Sequence, residues 1–318
     1  MGQRRTTKVL PNTLDDRFAQ PLTGLGEICF QMDFPMFDFL QSPVEELDAQ
    51  LAEVDARLSD IATSAGPGDL AKALHSHLDA GGARVRARAT LIAASDSTVD
   101  GVAIATAVEA LHQASLIHDD LNDRSSMRHG MPSVWAAYGA NAAIAAGDLM
   151  ISGAFSALAS TGNPSSVQYM HTAVARTIRG QCEDVAAKDL SLCEYVRVAQ
   201  RKSGPLLSLG PVLVLAQTGQ EHHIPRTERV GRWLAQAYQI ADDIRDVAED
   251  AEAGRPNIVD VLIRRQRPNP EGDAAALAHL SLARARRLAK PLPQGARDGL
   301  DFIETRTCAS LKEIAHAV

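Results

Sequence analysis

The stretch of sequence that decides the fold is EALHQASLIHDDLND, residues 109–123. Its apolar residues recur with the spacing of a helix, and this pattern leads directly into Asp119, Asp120 and Asp123. Residues four positions apart share one face of a helix, so the carboxylates of Asp119 and Asp123 are expected side by side. Because like charges at this spacing repel each other, the pattern predicts that a cation lies between them.

The same Asp-Asp-x-x-Asp pattern occurs again as Asp242, Asp243 and Asp246, within YQIADDIRD at residues 238–246. An acidic pair on a helix is usually a solvated surface feature. Here both copies directly follow apolar helical runs, in opposite halves of the chain, which disfavours that interpretation. Carboxylate oxygens favour a hard ion, Mg²⁺ or Mn²⁺, and Mg²⁺ is commonly shared between carboxylates and substrate phosphates. The repeated motif therefore predicts a diphosphate substrate.

The composition is typical of a soluble globular protein, with 318 residues of which 45% are hydrophobic and 22% charged. Helical patterns dominate the chain, strand patterns are weak, and no long Gly/Ser/Pro-rich linker interrupts them. The sequence predicts a flexible, polar N-terminal arm over residues 1–30 and one all-α domain over residues 31–318. Helices are expected near 44–62, 67–79, 83–95, 100–122, 133–159, 164–188, 191–202, 205–219, 226–250, 257–265, 273–289 and 296–316.

Charge and cysteine content restrict the classes of partner and compartment. The net charge of −7 makes nucleic acid an unfavourable partner. The four cysteines (Cys29, Cys182, Cys193, Cys308) lack the spacing of a zinc site, which favours free thiols in a reducing, cytoplasmic compartment. The best apolar run, GPLLSLGPVLVLAQTG at residues 204–219, contains Gly and Pro and is short, so no membrane span is expected.

Several ordered segments resemble the trans-isoprenyl diphosphate synthases, the polyprenyl synthetase family. Residues 109–133 resemble the first aspartate-rich region of that family, and GGARVRA (81–87) resembles its Gly-Gly-Lys-Arg-x-Arg-Pro element. GQCED (180–184), YVRVAQRKSGPLL (195–207) and YQIADDIRD follow in the family's order. The resemblance covers roughly residues 75–260. It implies an isoprenoid-synthase-like bundle of helices around a central cavity, with the two motifs facing each other across its mouth, and a homodimer.

The resemblance also implies roles for individual residues. Asp119, Asp123 and Asp242 are expected to bind Mg²⁺ directly, and Asp120, Asp243 and Asp246 to bind it or to support the ligands. The diphosphate of an allylic prenyl substrate is expected on Arg128, Lys202 and Gln239, and that of isopentenyl diphosphate on Arg86 and His112. Further substrate contacts are expected from Gln181, Ser203 and Arg255. Asp119, Asp123, Lys202 and Asp242 are the expected catalytic residues.

The chemistry of such a reaction agrees with these residue types. An allylic diphosphate ionises when positive charge stabilises the departing diphosphate, which Mg²⁺ held by carboxylates can supply. Lys202 and Arg128 add positive charge at the same place. The cavity beyond must exclude water, because water would trap the carbocation before the double bond of the acceptor attacks. No nucleophilic Ser or Cys is required.

Two departures from the family pattern fall on the acceptor side of the site. The family's Lys in Gly-Gly-Lys is Ala83 here, and the second Arg of its Arg-Arg pair is His129, which is mostly uncharged at neutral pH. Three hypotheses therefore remain open. The chain is a chain-elongating prenyltransferase with a modified acceptor site, a class I terpene cyclase or prenyltransferase with an unusual acceptor, or an inactive subunit that shapes a partner enzyme. The intact aspartates argue against the third.

Overall fold

A succession of helices is described over residues 44–186 and 189–317 in the computed structural model of the protein. The arm expected over residues 1–30 lies outside the described residues, as do residues 31–43 of the expected domain. The all-α prediction is confirmed: the described residues form fourteen α-helices, a turn of 3-10 helix at Glu221–His223 and one short hairpin. The helices are α1 (Val44–Thr63), α2 (Asp69–Asp79), α3 (Val85–Ala94), α4 (Gly101–Asn122), α5 (Val134–Tyr138), α6 (Ala140–Ala159), α7 (Pro164–Val185), α8 (Leu192–Leu207), α9 (Leu209–Gln217), α10 (Ile224–Arg245), α11 (Val247–Ala253), α12 (Ile258–Arg264), α13 (Pro270–Ala289) and α14 (Gln294–Ala317).

The central position of α4 follows from its small apolar side chains. The carboxylate of Asp100 caps its start by accepting a hydrogen bond from the N–H of Ala103 at 2.8 Å. Residues 102–111 are all buried, because α1, α3, α6 and α9 pack around them. Alanines at the contact allow the axes of α4 and α6 to approach closely. The first aspartate motif therefore ends a helix that is fixed along most of its length.

The second motif ends a helix in another part of the core. α10 packs against α8, α13 and α14, and its buried residues belong to a hydrophobic cluster with α12, α13 and α14. The cluster around α4 contains instead the buried residues of α1, α3, α6 and α7. α8 packs on both α7 and α10, so it stands between the two halves of the core. This helix can therefore reach both aspartate motifs.

Three of the expected divisions between helices differ from those in the structure. The helix expected over 133–159 is divided into α5 and α6 at Gly139, whose φ of 88° ends a right-handed helix. The break expected at 203–204 does not occur, because α8 continues through Pro205 and ends only before Ser208. The helix expected over 226–250 is divided into α10 and α11 at Asp246.

A short hairpin follows the first aspartate motif and was not expected from the weak strand pattern. Strand β1 (Met127–Arg128) pairs antiparallel with β2 (Met131–Pro132). The two residues between them, His129 and Gly130, have φ values of 49° and 80°. A two-residue type I′ turn requires positive φ at both central positions, and His-Gly is a less familiar signal for it than Asn-Gly. The turn fixes Arg128 and His129 beside the end of α4.

The expectation that no apolar run reaches the length of a membrane span is wrong for α6. This helix has the length and composition that a span requires. Its buried residues, however, form one stripe that includes Ala143, Ala146 and Met150, and this stripe packs against α4. The opposite face is exposed, with Ile144 at 49% of its maximal exposure.

Candidate active site

Both aspartate motifs occupy the last turn and the C-cap of a helix. The C-cap residue of α4 is Asp123, whose N–H donates to the carbonyl of Asp119 at 2.8 Å. The C-cap residue of α10 is Asp246, whose N–H donates to the carbonyl of Asp242 at 2.9 Å. The C-terminal end of a helix carries partial negative charge, so carboxylates clustered there are unfavourable unless cations accompany them.

The raised pKa values of these carboxyl groups show that their ionised forms are unfavourable in this environment. Burial raises the pKa of Asp119 to about 6, and Asp123 and Asp184 raise it further against the opposing charge of Lys202. Burial likewise raises the pKa of Asp242 to about 6, with Arg245 opposing and Asp246 adding to the rise. Both groups therefore gain from a nearby positive charge, which a metal ion would supply.

Asp120 and Asp243 are the most deeply buried members of their motifs, and both already have partners. The guanidinium of Arg128 donates from Nε to both carboxylate oxygens of Asp120, at 3.1 and 3.3 Å, and from Nη2 to Oδ1. Asp243 accepts from the hydroxyl of Tyr195 at 2.7 Å, from Nε2 of Gln239 at 2.9 Å and from the N–H of Ile258 at 2.8 Å. Their expected role as metal ligands stays a prediction; in this arrangement they hold the ends of α4 and α10 in place.

Lys202 lies at the first motif. Its ammonium group donates to Asp184 Oδ2 of α7 at 2.6 Å. Burial works against the charged form of Lys202, but Asp184, Asp119 and Asp123 outweigh it, so its pKa is raised. Ser203 follows it on α8 and is half-buried. Lys202 therefore remains a cation in the position where the sequence predicts the diphosphate.

The acceptor side of the expected site is built from α2, α3 and α4. Nη1 of Arg86 lies 3.0 Å from Nε2 of His112. Burial, with the charge of Arg86, lowers the pKa of His112 well below its ordinary value, so the imidazole is neutral. Nε2 of His77 lies 2.9 Å from Oε1 of Gln113, whose amide donates to the buried Glu109 at 2.7 Å.

Two of the expected binding residues carry buried donors without a partner among the described residues. These donors are Nε of Arg86 and Nε2 of Gln181. A buried donor left unsatisfied costs about 1–3 kcal/mol, so a ligand that accepts from it is favoured. Gln239, by contrast, donates to Asp243 and is not directed to a ligand in this arrangement.

Arg255 interacts electrostatically with one aspartate of each motif, Asp123 and Asp246. It donates to Asp250 Oδ1 at 2.7 Å and to Glu249 Oε1 at 2.8 Å. Burial raises the pKa values of Asp123 and Asp246, and the charge of Arg255 opposes both shifts. The end of α4 and the end of α10 therefore border the same region.

The donor set fits a hard divalent cation that is shared with a ligand. Within residues 44–186 and 189–317, no three His, Cys, Asp or Glu side chains are grouped closely enough to hold a metal ion alone. Mg²⁺ binds to one or two carboxylates and completes its shell with water and phosphate oxygens. Asp119 with Asp123, and Asp242 with Asp246, provide such pairs.

Sequence reasoning did not select three residues that shape the site. Tyr195 holds Asp243, and it precedes Lys202 by seven positions, which is the spacing of one helix face. Asn257 donates to the carbonyl of Asp243 at 2.7 Å and to Asp250 Oδ2 at 2.8 Å. Arg245, inside the second motif, donates to Asp242 Oδ1 at 2.9 Å. For Asn257, the signal was its position as the N-cap of α12.

Comparison with known proteins identifies the family to which the chain is similar. The family model of polyprenyl synthetase matches residues 68–262. The chain is 31% identical to heptaprenyl diphosphate synthase component 2 of Geobacillus stearothermophilus, over 68% of this chain and 70% of that protein. It is 32% identical to nonaprenyl diphosphate synthase of Mycobacterium tuberculosis, over 67% of this chain and 62% of that protein.

Solved structures share the fold. A polyprenyl synthase from Caulobacter crescentus, complexed with calcium and isoprenyl diphosphate, superposes with a TM-score of 0.74 at 21% identity, over 83% of this chain and 95% of that one. Geranylgeranyl pyrophosphate synthetase from Geoglobus acetivorans gives a TM-score of 0.74 at 19% identity, over 84% of this chain and 99% of that one. The isoprenoid-synthase fold predicted from the sequence is therefore confirmed. The chain belongs to the polyprenyl synthetase family, whose named members are prenyltransferases.

Proposed function

We propose that this protein condenses an allylic prenyl diphosphate with isopentenyl diphosphate, giving a longer polyprenyl diphosphate and free diphosphate. The observation that carries the proposal is the pair of aspartate-bearing helix ends with Lys202 beside the first and Arg255 near both. The relatives named above support the reaction class.

In the proposed reaction, the chain's own residues position and stabilise the leaving diphosphate. A bound divalent ion supplies electrostatic stabilisation of the negative charge that develops there. Lys202, held by Asp184, places a fixed ammonium beside Asp119. Because it is already oriented, little reorganisation is required as the bond to the allylic carbon breaks. Arg86 and the neutral His112 offer donors on the acceptor side.

We propose Mg²⁺ as the physiological ion, with Mn²⁺ able to replace it. The calcium in the Caulobacter crescentus structure supports a divalent cation in this fold. The paired aspartates, without a third protein ligand close by, favour an ion that retains waters and binds phosphate oxygens, which is the preference of Mg²⁺.

The alternative of a terpene cyclase is not favoured, because the relatives are named as prenyl diphosphate synthases. The acceptor side still differs from the family's sequence pattern at Ala83 and His129. Arg84, next to Ala83, has a buried Nη1 without a hydrogen-bond partner among the described residues. Gly82 lies between Arg84 and His129: a Cβ at position 82 would be 3.7 Å from Nη1 of Arg84 and 3.5 Å from Cε1 of His129. Both side chains therefore lie beside Gly82, the residue that precedes Ala83.

We further propose a homodimer in the cytoplasm. The exposed face of α6 and the exposed Ile178 and Val185 of α7 provide an apolar surface suited to a second copy. Cys182 and Cys193 are exposed thiols outside any disulfide, as a reducing compartment favours. Light scattering after size exclusion tests the dimer, and a monomer at micromolar concentration contradicts it.

The reaction is tested with purified protein, Mg²⁺ and geranyl, farnesyl or geranylgeranyl diphosphate, each with and without isopentenyl diphosphate. Longer diphosphates formed only when the acceptor is present support the proposal. Hydrocarbons or alcohols formed without the acceptor indicate cyclisation, and no turnover indicates a partner subunit. The matched variant is Asp119→Asn, which keeps the size of the side chain and should lower kcat by about 100-fold or more.

A further inference from the structure

A cavity of about 600 Å³ lies between α7, α8, α9 and the first half of α10, and none of the six motif aspartates lines it. Two ion pairs join α7 to α8 beside it. Lys202 pairs with Asp184 near the first aspartate motif. Arg201 pairs with Glu183 at 2.6 Å, and both residues of this pair line the cavity.

The lining of this cavity is strongly basic in a protein whose net charge is −7. Five arginines and two glutamates contribute to it: Arg176, Arg179, Arg197, Arg201, Arg232, Glu183 and Glu228. Arg201 pairs with Glu183, and Arg176 pairs with Glu228 at 2.6 Å. Arg179, Arg197 and Arg232 form no ion pair within the described parts of the chain. The cavity therefore has three guanidinium groups in excess of its carboxylates.

Between these arginines the wall is mainly apolar, with Gln200 and Ser208 among its uncharged polar residues. Val196, Leu209 and Val212 line it together with Ala173 and Pro205. Gly204 permits this arrangement, because a Cβ there would lie 3.2 Å from both Cα and Cγ of Arg232, so the stem of Arg232 packs directly on α8. An exposed cavity with a charged rim and an apolar wall suits a molecule with an anionic head and a hydrocarbon tail.

Guanidinium groups are the preferred protein partners of phosphate oxygens, because their planar donors bind two oxygens at once. A volume of about 600 Å³ is within the range of small-molecule sites and accommodates one such ligand rather than a polymer. We propose that this cavity binds a phosphorylated amphiphile of the prenyl diphosphate class, at a site separate from the aspartate motifs.

The cavity and the apolar surface proposed for the dimer lie on different faces of α7. Ile178 and Val185 of α7, which are 55% and 59% exposed, point away from the side of the helix that carries Ala173, Arg176 and Glu183. A second copy that covers the former face does not cover the cavity. The site does not depend on the proposed activity; only the choice of a prenyl diphosphate as its ligand does.

The cavity lies beside the backbone that carries Lys202. Arg201 and Lys202 are consecutive, and Gly180 packs so closely on them that a Cβ there would lie 2.5 Å from the carbonyl carbon of Arg201 and from the backbone nitrogen of Lys202. The ion pair that lines the cavity and the ion pair at the first aspartate motif are therefore held by the same backbone contact between α7 and α8.

The test measures binding of geranylgeranyl diphosphate to the full chain in EDTA, by equilibrium dialysis. Removing the metal weakens binding at the aspartate motifs but not at the arginines, and no turnover is required. The variant Arg179→Gln/Arg197→Gln/Arg232→Gln is expected to bind at least about tenfold more weakly than the wild type, since each lost charge-assisted hydrogen bond weakens binding. The control is Arg229→Gln/Arg264→Gln/Arg287→Gln, which removes three exposed arginines from outside the cavity and should bind as the wild type does.

Two further arms distinguish the source of the ligand. Inorganic diphosphate should compete at least about tenfold less well than geranylgeranyl diphosphate, because it lacks the apolar tail. Equal competition overturns the proposal that the ligand is amphiphilic. Flotation with phosphatidylglycerol vesicles tests a membrane surface. Loss of vesicle binding in the cavity variant, with unchanged binding of geranylgeranyl diphosphate, overturns the proposal. Unchanged affinity of the cavity variant for geranylgeranyl diphosphate overturns it as well.

Discussion

Tyr195 and Lys202 lie two turns apart on one face of α8, and each reaches a different aspartate motif. The hydroxyl of Tyr195 donates to Asp243, at the end of α10, whereas Lys202 lies beside Asp119, at the end of α4. A single helix therefore sets the separation of two helix ends that belong to different hydrophobic clusters.

Tyr195→Phe should lower the free energy of unfolding by about 1–2 kcal/mol, because it removes one of three donors to the buried carboxylate of Asp243. Urea denaturation followed by circular dichroism measures the change. Tyr169→Phe is the matched control, since the hydroxyl of Tyr169 makes no hydrogen bond in the described part of the chain. Equal losses for the two variants would show that the contact with Asp243 does not stabilise the protein.

Gly180→Ala should cost about 1–3 kcal/mol, because the added Cβ would meet the α8 backbone at 2.5 Å and helix backbone cannot move freely. Since that backbone carries Lys202, kcat should fall while the KM of the acceptor changes little. Gly68→Ala is the control: no heavy atom lies within 4 Å of its Cβ position, and its φ is −178°. A wild-type kcat in a folded Gly180→Ala protein would contradict the prediction.

The metal-free protein should lose stability, relative to Asp242→Asn, as the pH rises from 4 to 7. Burial raises the pKa of Asp242 from 3.8 to about 6, so the native state binds a proton that the unfolded chain has released. The stabilisation is complete below pH 3.8 and is lost as the pH passes through about 6. Because the side chain is 31% exposed, we expect a difference of about 1–2 kcal/mol.

Urea denaturation in EDTA, repeated from pH 4 to pH 8, measures this difference. Asp148→Asn provides the control, because its side chain is 68% exposed and lies outside both aspartate motifs. If the wild type and Asp242→Asn have parallel pH profiles, Asp242 does not take up a proton in this range. Addition of Mg²⁺ near pH 6 should then release no proton at this position.

Ala83→Lys with His129→Arg should lower the KM for isopentenyl diphosphate by about three- to tenfold. The reason is that ammonium and guanidinium donors bind a diphosphate more strongly than a methyl group or an imidazole. The KM of the allylic substrate serves as the internal control and should not change. An unaltered KM for isopentenyl diphosphate would indicate that other cations, such as Arg84, already supply this part of the site.

The long helices and both motifs were predictable because each depends on local spacing. α4 and α10 follow apolar patterns that lead directly to aspartates, and the family resemblance then supplied the fold. The partners of Asp243 were not predictable in the same way. Gln239 is one helical turn before Asp243, but Tyr195 and the N–H of Ile258 meet it only because α8 and α12 pack against α10.

Local chemistry also explains the errors in the predicted elements. Gly139 divides a continuous apolar pattern because its φ is positive, which the periodicity of the neighbours does not reveal. The hairpin at Met127–Pro132 has strands of two residues, too short for alternation to be recognised. The basic cavity is invisible in the sequence, because its arginines come from three separate helices.

Clustered negative charge at the ends of α4 and α10 would give a bound divalent ion a role beyond the chemical step. A ligand that binds only the folded state protects it in proportion to the logarithm of the ligand concentration. The final turns of these two helices should therefore fray and exchange their amide hydrogens faster when magnesium is scarce. Supply of the ion would then govern how long each molecule survives proteolysis in the cell, as well as how fast it works.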